Sequence, residues 1–414
     1  MKPVRIGMVG CGGIANAHLE GYRSLAGRGC DHFVLSAVCD VDAARASAFA
    51  SQIAQFQATP PQVFTDLDAL LAARVVDGVD VCTTHADHHP TAIRCLEAGV
   101  HVMVEKPMGV TVRAARRMQE VAARTGHILS IAENSRRGLG QRAMAWLFNQ
   151  DRRLGAPRLF AIDYFAGPPL PLTPPAEETP AAQLNWRLDK LQAGGGWTYD
   201  GGVHLMDSLL VYFGPIDTVY AEHRTLTPRE TLLTDGRRVT GHGEDTSLAT
   251  FRFASGLIGR WSFSFALPGV DFMRVGFYCD QGYVLDETPG GWTHTFGGGF
   301  IDSQARIRGA DGKEISSRDL ELEYVLSLSG EERERLFPHG IQRSMAIECH
   351  EFVDCIRCQR QPEVDAAAGL AGLAVSAALY ESAEAGVAVR IQDVLDGAVD
   401  AYQRPIDAHW GLLP

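Results

Sequence analysis

The 414-residue sequence lacks the features that mark several classes of protein. Basic residues are in deficit, with 38 Lys and Arg against 50 Asp and Glu and a formal net charge of -12 at pH 7. Nucleic acids and anionic membranes attract basic surfaces, so we expect neither as a partner. We see no apolar run long enough for a transmembrane helix and no basic and apolar leader pattern. These absences predict a cytoplasmic location.

Cysteine and histidine patterns give little support for a metal site. The nine cysteines include one C-x-x-C, at residues 355–358, and no second pair at metal-ligand spacing. We therefore predict free thiols in a reducing compartment. His85, His88 and His89, with Asp87 between them, are an alternative ligand set. They follow a predicted strand beside the expected cofactor and lack a companion ligand set, so we predict no metal.

The first part of the chain alternates strand and helix patterns. Apolar strand patterns lie at Val4–Gly10, Phe33–Asp40, Val79–His85, His101–Lys106 and His127–Glu133. Helical patterns lie at Asp42–Ile53, Asp66–Ala73, His88–Ala98 and Thr111–Thr125. Repeated βα units predict a doubly wound parallel sheet, on which ligands bind at the carboxyl ends of the strands. The sequence thus predicts an α/β domain over residues 1–135.

The pattern changes over residues 136–414, for which we predict one α+β domain. Strand pairs flank the turns at 254–256 and 280–282, which is typical of antiparallel hairpins. Helical patterns follow at Ser344–Gln359 and Ala366–Ala385. The segment Gly167–Ala182 holds six prolines and predicts an extended surface loop. Residues 298–340 fit no clear pattern, and a loop insertion or an oligomer arm are both open.

A glycine-rich turn follows the first predicted strand. Residues 10–15 read Gly-Cys-Gly-Gly-Ile-Ala, which is the pattern G-x-G-x-x-A, and a helix pattern follows. Gly10 permits a tight turn, Gly12 lets the backbone approach a pyrophosphate, and Ala15 allows close helix packing. The helix N-terminus supplies amide donors for phosphates. We predict that the dinucleotide contacts Gly10, Gly12, Gly13, Ile14 and Ala15; a turn without a ligand is the alternative.

Asp40 ends the second predicted strand, where a carboxylate can accept hydrogen bonds from ribose hydroxyls. Asp42 follows closely, and either carboxylate could instead cap the next helix. The acidic pair would repel a 2′-phosphate, which favours NAD over NADP. Arg45 lies close enough to weaken that preference. The predicted cofactor is NAD, with NADP less favoured.

Glu105 and Lys106 lie at the carboxyl end of the strand pattern that begins at His101. A lysine there faces the cofactor crevice, where burial and nearby charge can tune it for proton transfer or substrate polarisation. Glu105 is a candidate tether for the cofactor or for Lys106. An ion pair at the strand end is the alternative.

Residues 194–207, GGGWTYDGGVHLMD, are dense in glycine, which requires a close backbone approach or unusual backbone angles. Asp200 and His204 are four residues apart and share one face if a helix starts near Asp200. In the first turn the helix dipole favours a neutral, proton-accepting histidine. Asp200 or Asp207 could orient its ring. Alternatively, Asp200 caps the helix and His204 is a buried structural histidine.

Taken together, these motifs resemble the Gfo/Idh/MocA family of oxidoreductases over almost the whole chain. Thr83 and His88 are similar to the family's T-x-x-x-x-H turn, and residues 96–102 lead into its Glu-Lys-Pro at 105–107. Asn185-Trp186-Arg187 resembles its tryptophan–arginine segment, and Asp200 with His204 resembles its D-x-x-x-H element. Family members often have Pro-Asn after the threonine, where this chain has Thr84-His85, which puts the contacts on the nicotinamide side in question.

The resemblance implies a Rossmann domain followed by an α+β domain with a large, mostly antiparallel open-faced sheet. In the family, the exposed face of that sheet commonly builds homodimers or homotetramers. The resemblance also implies that Thr83, His85 and His88 lie against the cofactor, together with Glu105 and Lys106.

The resemblance assigns roles in hydride transfer. His204 would take the proton of a substrate hydroxyl, Lys106 would hydrogen-bond the reacting oxygen, and Asp200 would position substrate and base. Trp186 and Arg187 would lie near the nicotinamide and the sugar. The implied substrate is a small polyhydroxylated molecule: a sugar, glycoside or cyclitol. Two alternatives stay open, an NAD-dependent glycosidase that uses transient oxidation and elimination, and a non-catalytic dinucleotide-binding sensor.

Overall fold

The computed structural model describes residues 2–170, 185–228, 230–232, 238–241, 243–287 and 305–413. The strands are β1 (Val4–Val9), β2 (Phe33–Cys39), β3 (Gln62–Phe64), β4 (Gly78–Val81), β5 (His101–Glu105), β6 (Leu129–Ala132), β7 (Pro157–Ala166), β8 (Ile216–Arg224), β9 (Glu230–Leu232), β10 (Arg238–Thr240), β11 (Thr246–Phe253), β12 (Ile258–Ser264), β13 (Asp271–Cys279), β14 (Gly282–Asp286), β15 (Arg306–Gly309), β16 (Glu314–Ser316) and β17 (Val389–Arg390).

The α-helices are α1 (Gly13–Gly27), α2 (Ala43–Ile53), α3 (Leu67–Ala73), α4 (His85–Glu97), α5 (Val112–Thr125), α6 (Leu139–Trp146), α7 (Lys190–Ala193), α8 (Trp197–Asp200), α9 (Gly202–Phe213), α10 (Ser317–Ser327), α11 (Gly330–Leu336), α12 (Ser344–Cys358), α13 (Ala366–Ala385), α14 (Ile391–Leu395) and α15 (Arg404–His409). Short 3-10 turns lie at Ser135–Arg137, Asn185–Leu188 and Pro338–Gly340, and a π-helical turn at Leu147–Asp151.

The chain forms two compact units. The first contains Met1–Arg137 and Ser329–Leu370, and the second contains Gly138–Leu328 and Ala371–Pro414. The predicted division into 1–135 and 136–414 does not include one feature of these units, which is the return of segment 329–370 to the N-terminal unit. No spacing motif in the sequence announces that return. The predicted domain boundaries themselves stay a prediction.

The first unit is built on six parallel strands in the order β3-β2-β1-β4-β5-β6. The prediction of a doubly wound parallel sheet is confirmed. Strand β3 was not predicted, since its three residues are too few to show a period. The order changes direction between β1 and β4, and the carboxyl ends of the strands beside such a switch point form a ligand crevice.

Helix α4 differs from its predicted bounds. It begins at His85, so the strand predicted over Val79–His85 is too long and the helix predicted from His88 starts too late. Thr84 is the extended N-cap residue, and its hydroxyl donates to the Asp87 carboxylate over 2.6 Å. This side-chain contact favours a helical first turn. Its effect outweighs the apolar pattern that predicted a strand up to His85.

The returning segment of the first unit packs tightly through α12. A Cβ placed on Gly21 of α1 would lie 3.2 Å from the Met345 carbonyl oxygen. A Cβ on Gly78 of β4 would lie 2.7 Å from Ile356 Cδ1 and 3.0 Å from the Phe352 ring. These two glycines therefore allow the helix to approach α1 and the sheet closely.

A buried arginine fastens α12 to the end of the sheet within the same unit. The Arg137 side chain is fully buried and donates to the Glu133 carbonyl over 2.6 Å. It pairs with Glu348 over 3.0 Å and with Glu351 over 2.6 Å. Burial raises the pKa of Glu348 to about 8 although Arg137 opposes the shift, so Glu351 is the main ionic partner.

The second unit is organised by a nine-stranded sheet in the order β16-β15-β14-β13-β7-β12-β11-β8-β17. All its pairs are antiparallel except β7 with β12. The predicted hairpins β11–β12 and β13–β14 are confirmed, as is the predicted mostly antiparallel sheet. A separate two-stranded pair joins β9 and β10.

The unassigned segment 298–340 and the predicted proline-rich loop have different outcomes. Of residues 298–340, the described part forms β15, β16, α10 and α11, so it contains sheet-edge strands and helices rather than a plain loop. Most of the predicted proline-rich loop, residues 171–182, lies outside the described residues.

One described helix, α13, passes a length and composition test for a membrane span, with a mean hydropathy of 1.3 over its apolar window. The expectation that no segment is long and apolar enough is therefore wrong on those two measures. The structure buries 67% of that window, as is typical of a core helix that meets the same criteria.

Replacing Arg137 by Met should destabilise the first unit, because the fully buried Glu348 would lose this cation and Glu351 would keep its ion pair with Arg360, at 3.5 Å. Loss of one partner of a buried ion pair costs about 3–5 kcal/mol, and protonation of Glu348 keeps the expected loss near the lower value. Thermal unfolding of Arg137→Met would measure it. Arg124→Met, which removes the exposed pair with Glu97, is the matched control and should cost about 1 kcal/mol or less. Equal effects of the two variants would contradict this role for Arg137.

Candidate cofactor and substrate site

The glycine-rich turn lies at the carboxyl end of β1. Gly10 has a φ of +84°, and a Cβ there would lie 2.7 Å from the Cys82 carbonyl oxygen, so glycine is required. Helix α1 begins at Gly13 after the N-cap residue Gly12, which has no side-chain cap. A Cβ on Gly12 or Gly13 would meet no atom within 4 Å. The amides of this first turn therefore border open space, and Ala15 is buried beneath them.

Asp40 directly follows β2 and holds the same turn. Its Oδ2 accepts the Cys11 amide over 2.8 Å and its Oδ1 accepts the Asp42 amide over 2.9 Å. Arg45 lies 3.6 Å from Oδ2. Asp42 rather than Asp40 caps α2, since its Oδ1 accepts the amides of the second and third helical residues. The structure thus shows which carboxylate caps the helix, and the ribose role of Asp40 stays a prediction.

The turn from β4 into α4 is tied to the segment after β5. His88 is fully buried, with Nδ1 2.9 Å from the Pro107 carbonyl oxygen and Nε2 3.3 Å from the Thr83 carbonyl oxygen. Burial and the neighbouring His85 lower the pKa of His88 to about 3. A neutral ring donates one hydrogen bond, and the shorter contact, to Pro107, fixes the chain just beyond Lys106.

A buried histidine that the sequence analysis missed links the strands that carry the site. His18, on α1, places Nδ1 2.8 Å from Asp80 Oδ2 on β4 and Nε2 2.9 Å from Glu105 Oε1 on β5. Burial alone would lower the pKa of His18, but the charge on Asp80 outweighs it and holds the pKa well above its usual range. The sequence feature that could have identified His18 is its place among the apolar, inward-facing positions of α1.

Glu105 and Lys106 occupy the end of β5, as predicted. Burial by itself would raise the pKa of Glu105, but its bond to His18 and the charge of Lys106 hold it below the usual value. Glu105 is buried, whereas Lys106 is partly exposed at the strand end. A charged carboxylate therefore lies beside a cation at this edge of the sheet.

Three histidines in the first two turns of α4 lie near the same edge of the parallel sheet. His85 is the first residue of the helix, and its ring centroid lies 5.7 Å from that of His88. Burial lowers the pKa of His89 to about 4. Among the described residues, the groups of histidine, cysteine and carboxylate atoms close enough to share an ion do not include these three.

In the second unit the structure brings the tryptophan–arginine segment onto the predicted catalytic aspartate. Arg187 Nε donates to Asp200 Oδ2 over 2.8 Å, and its guanidinium lies 4.2 Å from the centroid of the Trp186 ring. Both charged side chains keep partial exposure, 37% for Arg187 and 22% for Asp200. An oriented carboxylate and a stacked cation are suited to binding hydroxyl groups.

Asp200 and His204 lie on two successive short helices rather than one. Helix α8 ends at Asp200, and α9 begins at Gly202 with Gly201 as its N-cap residue and no side-chain cap. The alternative in which Asp200 caps the His204 helix is therefore wrong. His204 is the third residue of α9 and is partly exposed, so it lies in the first turn as predicted.

The glycine density at 194–202 has a packing cause. A Cβ on Gly195 would lie 2.6 Å from the Tyr380 ring, and a Cβ on Gly196 would lie 2.6 Å from Glu244 Oε2. The Gly196 amide donates to the Tyr380 hydroxyl over 2.6 Å, and that hydroxyl donates to Glu244 over 2.5 Å. Glu244 also accepts the Thr198 amide over 2.6 Å. This role of Glu244 was not predicted, because the residues next to it in the sequence form no recognisable motif.

Two family models match the chain. Residues 4–133 match the oxidoreductase family with an NAD-binding Rossmann fold, and residues 148–285 match the GFO/IDH/MocA C-terminal domain. NAD is thus the cofactor of the family fold that the first match describes. Together the two matches cover more than half of the chain.

Relatives of established name are similar over part of their length. A 1,5-anhydro-D-fructose reductase from Ensifer adhaerens is 28% identical over 218 residues, which span 51% of this chain and 57% of the reductase. A glycosyl hydrolase family 109 protein from Shewanella sp. is 31% identical over 138 residues, spanning 32% of this chain and 29% of that protein. The chain therefore spans little more than half of one relative and less than a third of the other.

A solved structure supports the fold over nearly the full length. The WlbA dehydrogenase from Bordetella pertussis, in complex with NADH and UDP-GlcNAcA, superposes with a TM-score of 0.70 at 24% identity. The superposition covers 94% of this chain and 98% of the dehydrogenase. With both family domains matched in order and the fold shared, the chain belongs to the Gfo/Idh/MocA family of oxidoreductases.

Proposed function

We propose that this protein is an NAD-dependent oxidoreductase that transfers hydride between nicotinamide and a hydroxyl-bearing or carbonyl carbon of a sugar, glycoside or cyclitol. The observation that carries the proposal is the edge of the parallel sheet. There the open glycine turn, the Asp40 carboxylate and the Glu105–Lys106 pair all occupy carboxyl ends of strands in one unit. That edge is where this fold class binds a dinucleotide.

The cofactor half of the proposal assigns each group a task. The amides at Gly12 and Gly13 bind the pyrophosphate, and Asp40 accepts the ribose hydroxyls while still holding the Cys11 amide. Thr83, His85, His88 and the buried Glu105 line the nicotinamide side in this proposal. NAD supplies the hydride acceptor or donor when bound.

The substrate half of the proposal rests on the family assignment and on the local geometry of the second unit. His204 takes or returns the hydroxyl proton, and Lys106 hydrogen-bonds the reacting oxygen so that negative charge can develop on it. Asp200, held by Arg187, positions the substrate and the base, and Trp186 packs on the sugar face. The similarity to a sugar reductase supports a polyhydroxylated substrate.

The NAD-dependent glycosidase remains a second candidate, because one relative is named as a glycosyl hydrolase. Such an enzyme oxidises and later re-reduces the same sugar, so it has no net redox turnover. The sensor alternative predicts dinucleotide binding without chemistry. A cytoplasmic location stays a prediction.

Nicotinamide absorbance should change when the protein, NAD and a panel of sugars, glycosides and inositols are mixed. Lys106→Met and His204→Asn should each lower kcat by about 100-fold or more, since proton transfer and oxyanion stabilisation are lost while NADH affinity is kept. Lys313→Met, at an exposed lysine paired with Asp311, is the matched control and should keep full activity.

The outcomes separate the candidates. Release of sugar from a glycoside with no change in absorbance would favour the glycosidase. The catalytic proposal would be refuted if the protein bound NADH but turned over none of these compounds, and if NADH binding were unchanged in Lys106→Met. The sensor would then be the candidate that is left.

The preference for NAD should depend on Asp40. A charge-assisted hydrogen bond contributes about 1.5–3 kcal/mol, so Asp40→Asn should weaken NADH binding about 10–100-fold and affect NADPH much less. Fluorescence titration of both cofactors requires no substrate. Asp42→Asn, which alters the helix cap and a 3.7 Å contact with Arg45, is the control. An unchanged ratio of the two affinities in Asp40→Asn would remove Asp40 from the ribose site.

The proposed homodimer or homotetramer is supported by one face of the nine-stranded sheet. Four large apolar side chains on it, Leu159, Leu248, Ile258 and Phe272, are 42–54% exposed, and Ile258 is registered directly against Leu159. Ile258→Asp should lower the mass measured by light scattering, whereas Val41→Asp, at an exposed apolar residue of the first unit, should not. A monomeric wild type, or an assembly indifferent to Ile258→Asp, would exclude this face.

A further inference from the structure

A cysteine and two histidines from distant parts of the sequence meet within the first unit. Cys30 follows α1, His339 lies in the 3-10 turn Pro338–Gly340, and His350 lies on α12. One ligand atom from each, the Cys30 sulfur and a ring nitrogen of each histidine, lie within 4.8 Å of one another. We refer to these three residues as the thiol–imidazole cluster.

The backbone around each member of the cluster is held by neighbouring groups of the first unit. Cys30 donates its amide to the Leu25 carbonyl over 3.1 Å, directly after Gly29, whose φ is +81°. The His339 amide donates to the Glu334 carboxylate over 3.0 Å. His350 is carried by α12, which the contact with Gly21 holds against α1. Side-chain rotation is therefore enough to adjust the cluster.

The donor set suits a divalent ion of the zinc class. Zinc binds thiolate at about 2.3 Å and imidazole at about 2.0–2.1 Å, so ligand atoms in a tetrahedral site lie about 3.5 Å apart. The ligand atoms of the cluster lie within 4.8 Å of one another, so they would draw together by up to about an ångström when an ion binds. A sulfur with two imidazoles selects a borderline-soft transition ion over calcium or magnesium, which prefer oxygen ligands.

The surroundings leave the cluster accessible to an ion. Cys30 is 5% exposed, and both histidines are partly exposed, which leaves an entry path. Burial raises the pKa of the Cys30 thiol, so binding of an ion must release its proton.

We propose that Cys30, His339 and His350 bind one Zn²⁺ ion, with a water molecule as the fourth ligand. The ion would join the N-terminal part of the first unit to its returning segment 329–370. This proposal departs from the sequence prediction of no metal, which relied on local spacing. It is independent of the proposed reaction.

Cobalt titration of the chelator-treated, full-length protein tests the site. One equivalent of Co²⁺ should produce thiolate-to-cobalt charge-transfer absorption with the ligand-field bands of tetrahedral cobalt, and Zn²⁺ should displace it. In Cys30→Ser the charge-transfer band should disappear, and in His350→Gln binding should weaken by at least about tenfold. Cys358→Ser, at an exposed thiol on the same helix as His350, is the matched control and should bind as the wild type does.

Thermal unfolding gives a second measurement that does not depend on cobalt absorption. Zn²⁺ should raise the Tm of the wild type and of Cys358→Ser, but not that of Cys30→Ser, because binding stabilises the folded state. No saturable single equivalent, or a band that persists in Cys30→Ser, would overturn the proposal. A band lost instead in Cys349→Ser would assign the ion to the buried His18–Asp80–Cys349 group and would equally overturn it.

Discussion

The bridge from His18 to Asp80 and Glu105 is the interaction on which the cofactor edge depends. It joins α1, β4 and β5, so the helix that begins at the glycine turn cannot shift against the strand that ends at Glu105 without exposing or separating buried charges. Two carboxylates in a fully buried setting require a shared cation. A protonated imidazole supplies it, because both of its ring nitrogens donate a hydrogen bond.

The two halves of the active-site proposal differ in how their polar groups are held. In the first unit, charges are buried and fixed by other side chains, as with Glu105 and His18. In the second unit, Arg187 and Asp200 keep partial exposure, and the rigid part is the backbone behind them, where Gly196 is held by Tyr380. The charges of the proposed cofactor site are therefore buried and fixed, whereas those of the proposed substrate site are partly exposed.

Local patterns predicted much of this structure. The parallel sheet, the glycine turn, Asp40 at the end of β2 and the hairpins all follow from periods and turns within a few residues. The return of 329–370, the Arg137 ion pairs and the Glu244–Tyr380 support do not, because their members lie far apart in sequence and each is unremarkable alone. The start of α4 was missed for a smaller reason, a single Thr84–Asp87 contact.

The two-part chain path of the first unit has a consequence for the order of folding. During synthesis, the six strands emerge first, yet the seat for α12 at Gly21 and Gly78 stays uncovered until nearly all of the second unit has been made. During the same interval Arg137 lacks its partners Glu348 and Glu351, which have not yet been made. The nascent parallel sheet must therefore persist with an open apolar surface and an unmatched cation, which makes this interval the stage at which chaperones would matter most.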